Sequence, residues 1–381
     1  MNNPLIFMPS VQLSEVQRLP TDCARSAKSF IRDDRRYMAI AQFAEDIAGQ
    51  PAGMHAGDSD ICSLIYRYHS TGFELTDSIP VAGAEDAEFF TIGGRWFLAT
   101  ASIRSGNGPF EHDVKSVIFE HQEGRWLPFQ AIATFGAKQW HYFQVQGRHF
   151  LALAQGIQVP GLSSAHPVTS RIYEWDGQQF VEFQVLEGRW GYGWAHIHHA
   201  DQDYLAYADH LGPSQVMRWQ GDHFAPLFEL PGVGGRAFSF FADQERLYLV
   251  YASLTGETQL ACLAQDQLQF KQVLGGEGGR ALAVITHKAQ RFLARVCFIT
   301  GGRENPQPVL TSEVWRWEHE GFVLAATFAT FGGTSTHWLV EDDQLLLVVT
   351  NSLSARLRFN NDTVIYRLDD LNNATIESSH E

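Results

Sequence analysis

Histidine, tryptophan and arginine gather at three places along this chain in patterns that could carry chemistry. Trp140-His141-Tyr142 is one, Arg189-Trp190-Gly-Tyr192-Gly-Trp194-Ala-His196-Ile-His198-His199 is a second, and Thr336-His337-Trp338 is a third. Brought together, His141, His196, His198 and His337 could ligate a metal, or act as acid and base near neutral pH, where imidazole titrates. Trp140, Tyr142, Trp190, Trp194 and Trp338, with Arg236 and Arg280, are side-chain types that anchor ligands in buried pockets. The competing reading is structural. In extended chain His196 and His198 share one face and His199 points away, which is also how packing residues alternate.

Other motifs are thinner. Asp58-Ser-Asp60 and Glu111-His112-Asp113 could offer oxygens to Ca²⁺, but the glycine and bidentate glutamate of an EF-type loop are missing around them. The run Gly275-Gly-Glu-Gly-Gly279 lacks the Lys-Ser/Thr of a phosphate-cradling loop. No serine sits in a Gly-x-Ser-x-Gly elbow and no HExxH occurs.

The elements that must position these residues follow from repetition. An aromatic or leucine followed by Leu-Ala or a close relative recurs seven times, starting at Tyr37, Phe97, Phe150, Tyr204, Tyr248, Phe292 and Leu346. The steps run from 44 to 60 residues, with 44 as the bare unit. A second phrase follows each copy: Ser63-Leu-Ile-Tyr66, then its counterparts beginning at Ser116, Ser170, Ser214, Thr258, Ser312 and Thr363. A group needed once for catalysis has no reason to recur in every unit, so these hydroxyls read as architectural. Alternation of period two marks both phrases as strands. Tight turns such as Gln146-Gly147 and Asp176-Gly177 join them.

Each unit therefore reads as four short antiparallel strands, A to D. Seven such units predict an all-β, seven-bladed propeller. A lone strand near Val11–Leu19 precedes the first unit, and the last unit lacks a D strand, so the N-terminal strand is expected to close the ring. Residues 1–381 read as one domain, with repeats over about 11–368 and a polar tail over 369–381. Strand order puts the D–A and B–C connections on one face. The long insertions, 42–61, 102–115, 156–169, 298–311 and 352–362, all fall there. That loop-rich face and the channel mouth beneath it are the expected working surface.

Composition narrows the partners. Forty-three acidic against 28 basic residues give a net charge of −15, which argues against nucleic acid held by charge. No apolar run approaches a membrane span. The N-terminal Met1-Asn-Asn-Pro has no basic or long apolar stretch, and the four cysteines form no CxxC pair. A cytoplasmic location with reduced thiols is the resulting expectation.

The repeat resembles the EAR repeat, also called the EPTP or epitempin repeat. Its closest copy is Phe129-Gln-Ala-Ile-Ala-Thr134-Phe-Gly136-Ala137-Lys-Gln-Trp140, with Phe143, Phe150-Leu-Ala-Leu-Ala-Gln155 and Ser170-Arg-Ile-Tyr173-Glu-Trp175. The resemblance runs from about Val11 to Leu368. It implies a seven-bladed propeller and a binding role, because the known animal members are secreted propellers that bind receptor ectodomains. Some hold a calcium ion in the central channel through acidic residues. Here that slot is Asp86 in the second copy, but Gln139, Gly193, Ala237, Ala281 and Ser335 in later ones, a departure from a ring of carboxylates.

The leading expectation is a non-catalytic module that engages a protein or small ligand through the loop-rich face and channel mouth. Its ligand contacts are expected at Trp140, Tyr142, Trp190, Trp194, His196, Arg236, Arg280, His337 and Trp338. The alternative is an enzyme acting on a small hydrophobic metabolite in a Trp/His-lined mouth, with His196, His337 or His141 shuttling a proton. A channel metal such as Ca²⁺ would draw on Asp86, His196 and His198.

Overall fold

The computed structural model describes residues 11–370 apart from 159–160 and 303–304. These residues form twenty-eight strands in seven four-stranded antiparallel sheets, and no α-helix occurs among them. Consequently no helix among the described residues is long and apolar enough to cross a membrane. The expected tail lies, from residue 371 onward, outside the described residues.

Blades one to six each take four consecutive strands in spatial order A-B-C-D. The seventh takes Gly333–Glu341, Gln344–Asn351 and Thr363–Asp370, and its outer strand is Val11–Leu19. That strand runs antiparallel in register from Val11 opposite Asp370 to Leu19 opposite Thr363. Val11 and Leu19 are buried in the cores on either side of the seventh blade. The expected closure is therefore present, and the ring has no open edge between its first and last blades.

The B strands explain why the aromatic-Leu-Ala phrase is apolar at every position. In Arg95–Ser102, Phe97 and Ala99 face the core shared with the third blade, while Leu98 faces the core shared with the first. A blade sandwiched on both sides buries both faces of its strands, so alternation gives way to a continuous apolar run. The recurring hydroxyl has a different task. Ser116 Oγ accepts the N–H of Ser102, and Ser170, Ser214 and Ser312 do the same for Gln155, Asp209 and Cys297, at 2.9–3.1 Å. In these four blades it satisfies a buried donor where the B–C ladder opens.

The A–B turns are two residues long and left-handed, as at Asp33-Asp34, Ala200-Asp201, Lys288-Ala289 and Asp342-Asp343, where φ lies between +46° and +63°. On the opposite face the B–C insertions gather an apolar cluster of their own around Phe43, Ile103, Ile299, Leu353 and Phe359. Arg104 pins one insertion: Nε donates to Ser59 Oγ at 2.8 Å, and the two terminal nitrogens donate to the carbonyls of His55 and Ala56. Gly83 holds the turn below it. Its φ is +52°, and a Cβ there would meet the Arg104 carbonyl oxygen.

Candidate functional site

The inner strands share an irregularity at their entrance. In six blades the pairing of A with B slips by one residue, between Ala24 and Ser26, Ala84 and Asp86, Gly191 and Gly193, Gly235 and Ala237, Gly279 and Ala281, and Gly333 and Ser335. In the third blade the Lys138 N–H donates to the Ala154 carbonyl while Gln139 pairs with that same residue. A bulge adds one residue and re-aims it. Here the seven extra residues are Arg25, Glu85, Lys138, Tyr192, Arg236, Arg280 and Thr334, and all of them line one axial cavity of about 420 Å³. The ring stands where the D–A connections enter the channel, with Phe43 and Phe298 of two insertions against Arg25.

Charge is concentrated in this ring. Glu85 is 5% exposed and faces three cations: Lys138 Nζ at 3.3 Å, Arg280 at 3.5 Å and Arg25 at 3.6 Å. Burial alone would raise its carboxyl, but Lys138, Arg25 and Arg280 together hold it down at about 2. Beside it the Tyr192 ring carries Arg236 at 3.7 Å, Arg280 at 4.7 Å and Lys138 at 5.3 Å from its centroid. Burial pushes the Tyr192 phenol up, yet these three cations bring it below its ordinary value. Arg236 is 5% exposed and has no carboxylate within ion-pairing distance among the described residues. One terminal nitrogen donates to the Gly235 carbonyl, and its buried Nε has no partner. Burial lowers this guanidinium to about 10, so it stays charged at neutral pH.

One level down the channel, Lys28 Nζ lies 3.3 Å from Asp86 Oδ2 and bonds Glu88. The backbone N–H groups of Trp140 and Tyr142 donate to the same two carboxylates at 3.0 Å. An ammonium group thus already sits between the acids nearest the calcium slot. The remaining slot residues, Gln139, Gly193, Ala237, Ala281 and Ser335, add no carboxylate, and no cluster of three or more His, Cys, Asp or Glu among the described residues could hold a metal. The donor set does not fit the Ca²⁺ that the resemblance implied.

The EPTP domain family model matches residues 127–176 and 179–220, which span most of the third and fourth blades. The human thrombospondin-type laminin G domain and EAR repeat-containing protein is 31% identical over 155 residues, and its mouse counterpart 30% over 157. Residues 127–220 are thus similar to the EPTP, or EAR, repeat. Each alignment covers 39% of this chain and 22% of the relative, so the chain spans well under two thirds of those relatives. Solved propellers share the fold at low identity. Sqt1 of Saccharomyces cerevisiae superposes with a TM-score of 0.54 at 9% identity, covering 93% of this chain and 88% of that one. The Cps50 (Swd1) propeller domain of Myceliophteria thermophila gives 0.55 at 11%, covering 93% and 99%.

Within this propeller the residues expected at the mouth separate into two groups. Asp86, His141, His196, Arg236 and Arg280 line the channel cavity. Trp140 is fully buried in the core between the second and third blades, its indole N–H on the Thr100 carbonyl at 3.0 Å. Trp338 is buried likewise, donating to the Ala283 carbonyl at 3.0 Å. Tyr142 stacks on Phe90 and bonds His149, and Trp190 packs edge-on to His210. Trp194 borders the cavity but is 4% exposed and packs on Tyr207. The cavity wall therefore combines a charged ring with His141, His196 and Trp194. The bulge turns the residue after each Gly or Ala into the channel and leaves the following aromatics for the inter-blade cores.

The four histidines do not converge. His196 stacks on Phe143, and it shares Asp203 with His198, at 2.9 and 3.1 Å. His337 Nε2 pairs with Ser29 Oγ at 2.7 Å, and His141 Nδ1 lies 3.9 Å from Glu88. Burial, reinforced by Lys28, lowers His141 to about 3 and His337 to about 4. Burial thus favours the neutral form of both rings at neutral pH. Arg25, Lys28, Glu85, Glu88 and Lys138 were not anticipated from the sequence. The signal for five of the seven ring residues was present in the Gly-Ala or Gly-Gly pairs that open the inner strands. Glu85, Lys138, Arg236, Arg280 and Thr334 each stand directly after one.

Proposed function

We propose that this propeller is a non-catalytic binding module that engages a protein partner or small ligand on its loop-bearing face, through the channel mouth. The observation that carries the reading is the axial cavity. Its bulge ring lies at the channel end nearest the B–C insertions, whose Phe43 and Phe298 rest on Arg25, and its wall holds more cations than carboxylates, Arg236 among them with no carboxylate partner. Concave sites of 300–1,000 Å³, roughly, with a few converging polar groups are the usual form of a ligand pocket. Fold alone does not decide function, so the reading rests on the site.

The test is native mass spectrometry of protein freshly purified from its source, followed by hydroxyl-radical footprinting with and without the co-purified species. Protection is expected over the insertions 43–61, 103–112 and 298–302, with no change at the Asp33-Asp34 and Asp342-Asp343 turns. Protection confined to the turn face overturns the reading. Conversion of the bound species to a product by purified protein overturns its non-catalytic part.

A further inference from the structure

Resting on that reading of the mouth, we propose that the bulge ring is an oxyanion clamp. Its ligand is a small, multiply charged acid whose carboxylate or phosphate group sits between the Arg236 and Arg280 guanidiniums and the Lys138 ammonium. Among the ionised ring residues, four cations stand against one carboxylate. Including Lys28, Asp86 and Glu88 from the level below, the cavity still carries five cations and three acids. This excess is local, because the whole protein carries −15. Uncompensated buried charge is costly, and an anion entering the ring would supply what the protein leaves out.

The position within the ring follows from what faces what. Asp86 and Glu88 belong to the second blade and are engaged by Lys28 from the first. Arg236 and Arg280 come from the fifth and sixth blades, across the channel. Beneath them the slot residues are small, Ala237 and Ala281, with Gly193 next to them under Tyr192. Space and unspent donors therefore coincide on the side away from the carboxylates. Tyr192 braces all three cations through its ring face; Lys138 and Arg280 also pair with Glu85, while Arg236 meets no carboxylate. Arg236 contributes a fork in which only one nitrogen has a bond, to the Gly235 carbonyl. Guanidinium forks match planar carboxylates and phosphates bidentately. The apolar metabolite of the alternative sequence reading would leave these charges buried and unpaired.

Isothermal titration calorimetry at low ionic strength tests the clamp with inorganic phosphate, succinate and citrate as probes and matched chloride as control. We expect one saturable site with a Kd below about 1 mM for at least one probe. Arg236→Gln should weaken it at least about tenfold, the loss of a charge-assisted hydrogen bond. Arg236→Lys should recover part of that loss, and Arg246→Gln, on an exposed pair with Glu320, should leave it unchanged. A preference for phosphate or for the carboxylates tells which oxyanion the clamp takes, and either supports it. A second readout needs no variant: the favoured probe should raise the wild-type melting temperature in a concentration-dependent way that chloride does not.

Absence of binding by all three probes up to about 10 mM overturns the clamp, as does binding that Arg236→Gln leaves intact. The two proposals fail separately. Footprinting on the loop face with no anion binding removes only the clamp. Anion binding with a partner footprint confined to the turn face removes the binding-face reading.

Discussion

Lowering the pH from 7.5 to 5.0 should cost this fold about 4 kcal/mol through two histidines alone. His141 faces Lys28 and His196 from neighbouring blades, and Glu88 at 3.9 Å does not offset its burial. His337 faces Lys28 and Arg36 and keeps its neutral-state contact with Ser29. Their folded values, about 3 and about 4, lie below the ordinary 6.5 that applies once the chain unfolds. The folded state then binds fewer protons than the unfolded one, so stability is complete above pH 6.5 and is lost as pH falls below it. At pH 5.0 each unfolded imidazole gains about 2 kcal/mol by protonation that the folded one is denied. Urea denaturation of the wild type and of His141→Gln/His337→Asn at both pH values isolates the effect. Other histidines depressed by burial, such as His112 and His210, titrate equally in both proteins and cancel. The double variant should lose about 4 kcal/mol of the pH dependence, whatever its stability at pH 7.5. A pH dependence unchanged to within about 1 kcal/mol would refute the claim that the channel holds these rings neutral.

The closure strand gives a second prediction. Val11→Ser with Leu19→Ser should cost about 3–6 kcal/mol, read as a lower urea midpoint, because both side chains are buried in cores flanking the seventh blade. Val16→Ser on the same strand, 46% exposed, should stay within about 0.5 kcal/mol. The third concerns the metal. Millimolar Ca²⁺ or a chelator should leave the melting temperature unchanged, whereas Lys28→Met should lower stability by about 3–5 kcal/mol by leaving Asp86 and Glu88 facing each other without their cation. A calcium-dependent rise in the wild type would show that Lys28 does not fill that position.

The parts of this protein that were legible in its sequence are those dictated by burial. Phe97, Leu98 and Ala99 must all be apolar because the strand they occupy is covered on both faces. Ser116, Ser170, Ser214 and Ser312 recur because their blades leave the same donor to satisfy. The closing strand was visible because a seventh D strand was missing and a spare strand stood at the other end. The mouth was harder to read. Trp140, Tyr142 and Trp338 looked like ligand anchors because aromatic side chains serve inter-blade cores and binding pockets equally well. Only the bulge register separates the two uses, and a slip of one residue exchanges which side chains face the channel. His196 and His198 were correctly placed on one face, but their partner Asp203 lies across the turn on the next strand and carries no motif.

The ring also explains why repetition, so informative for the fold, hid the site. Positions that agree across seven blades answer a demand made seven times, which is packing or hydrogen-bond satisfaction. A ligand on the axis makes its demands once, and each blade meets them with a different residue. At the bulge the blades read Arg25, Glu85, Lys138, Tyr192, Arg236, Arg280 and Thr334. In sequence this column looks like noise beside the invariant glycine or alanine before it. In the fold it is the one inner-strand position where all seven blades reach the same cavity. The bulge is what permits the variety: its extra residue sits outside the A–B ladder, so a change there alters the address on the channel without disturbing the pairing that holds the blade. The site is accordingly to be sought where the repeats disagree at a fixed backbone position, and here that position collects a cationic excess in an otherwise acidic protein.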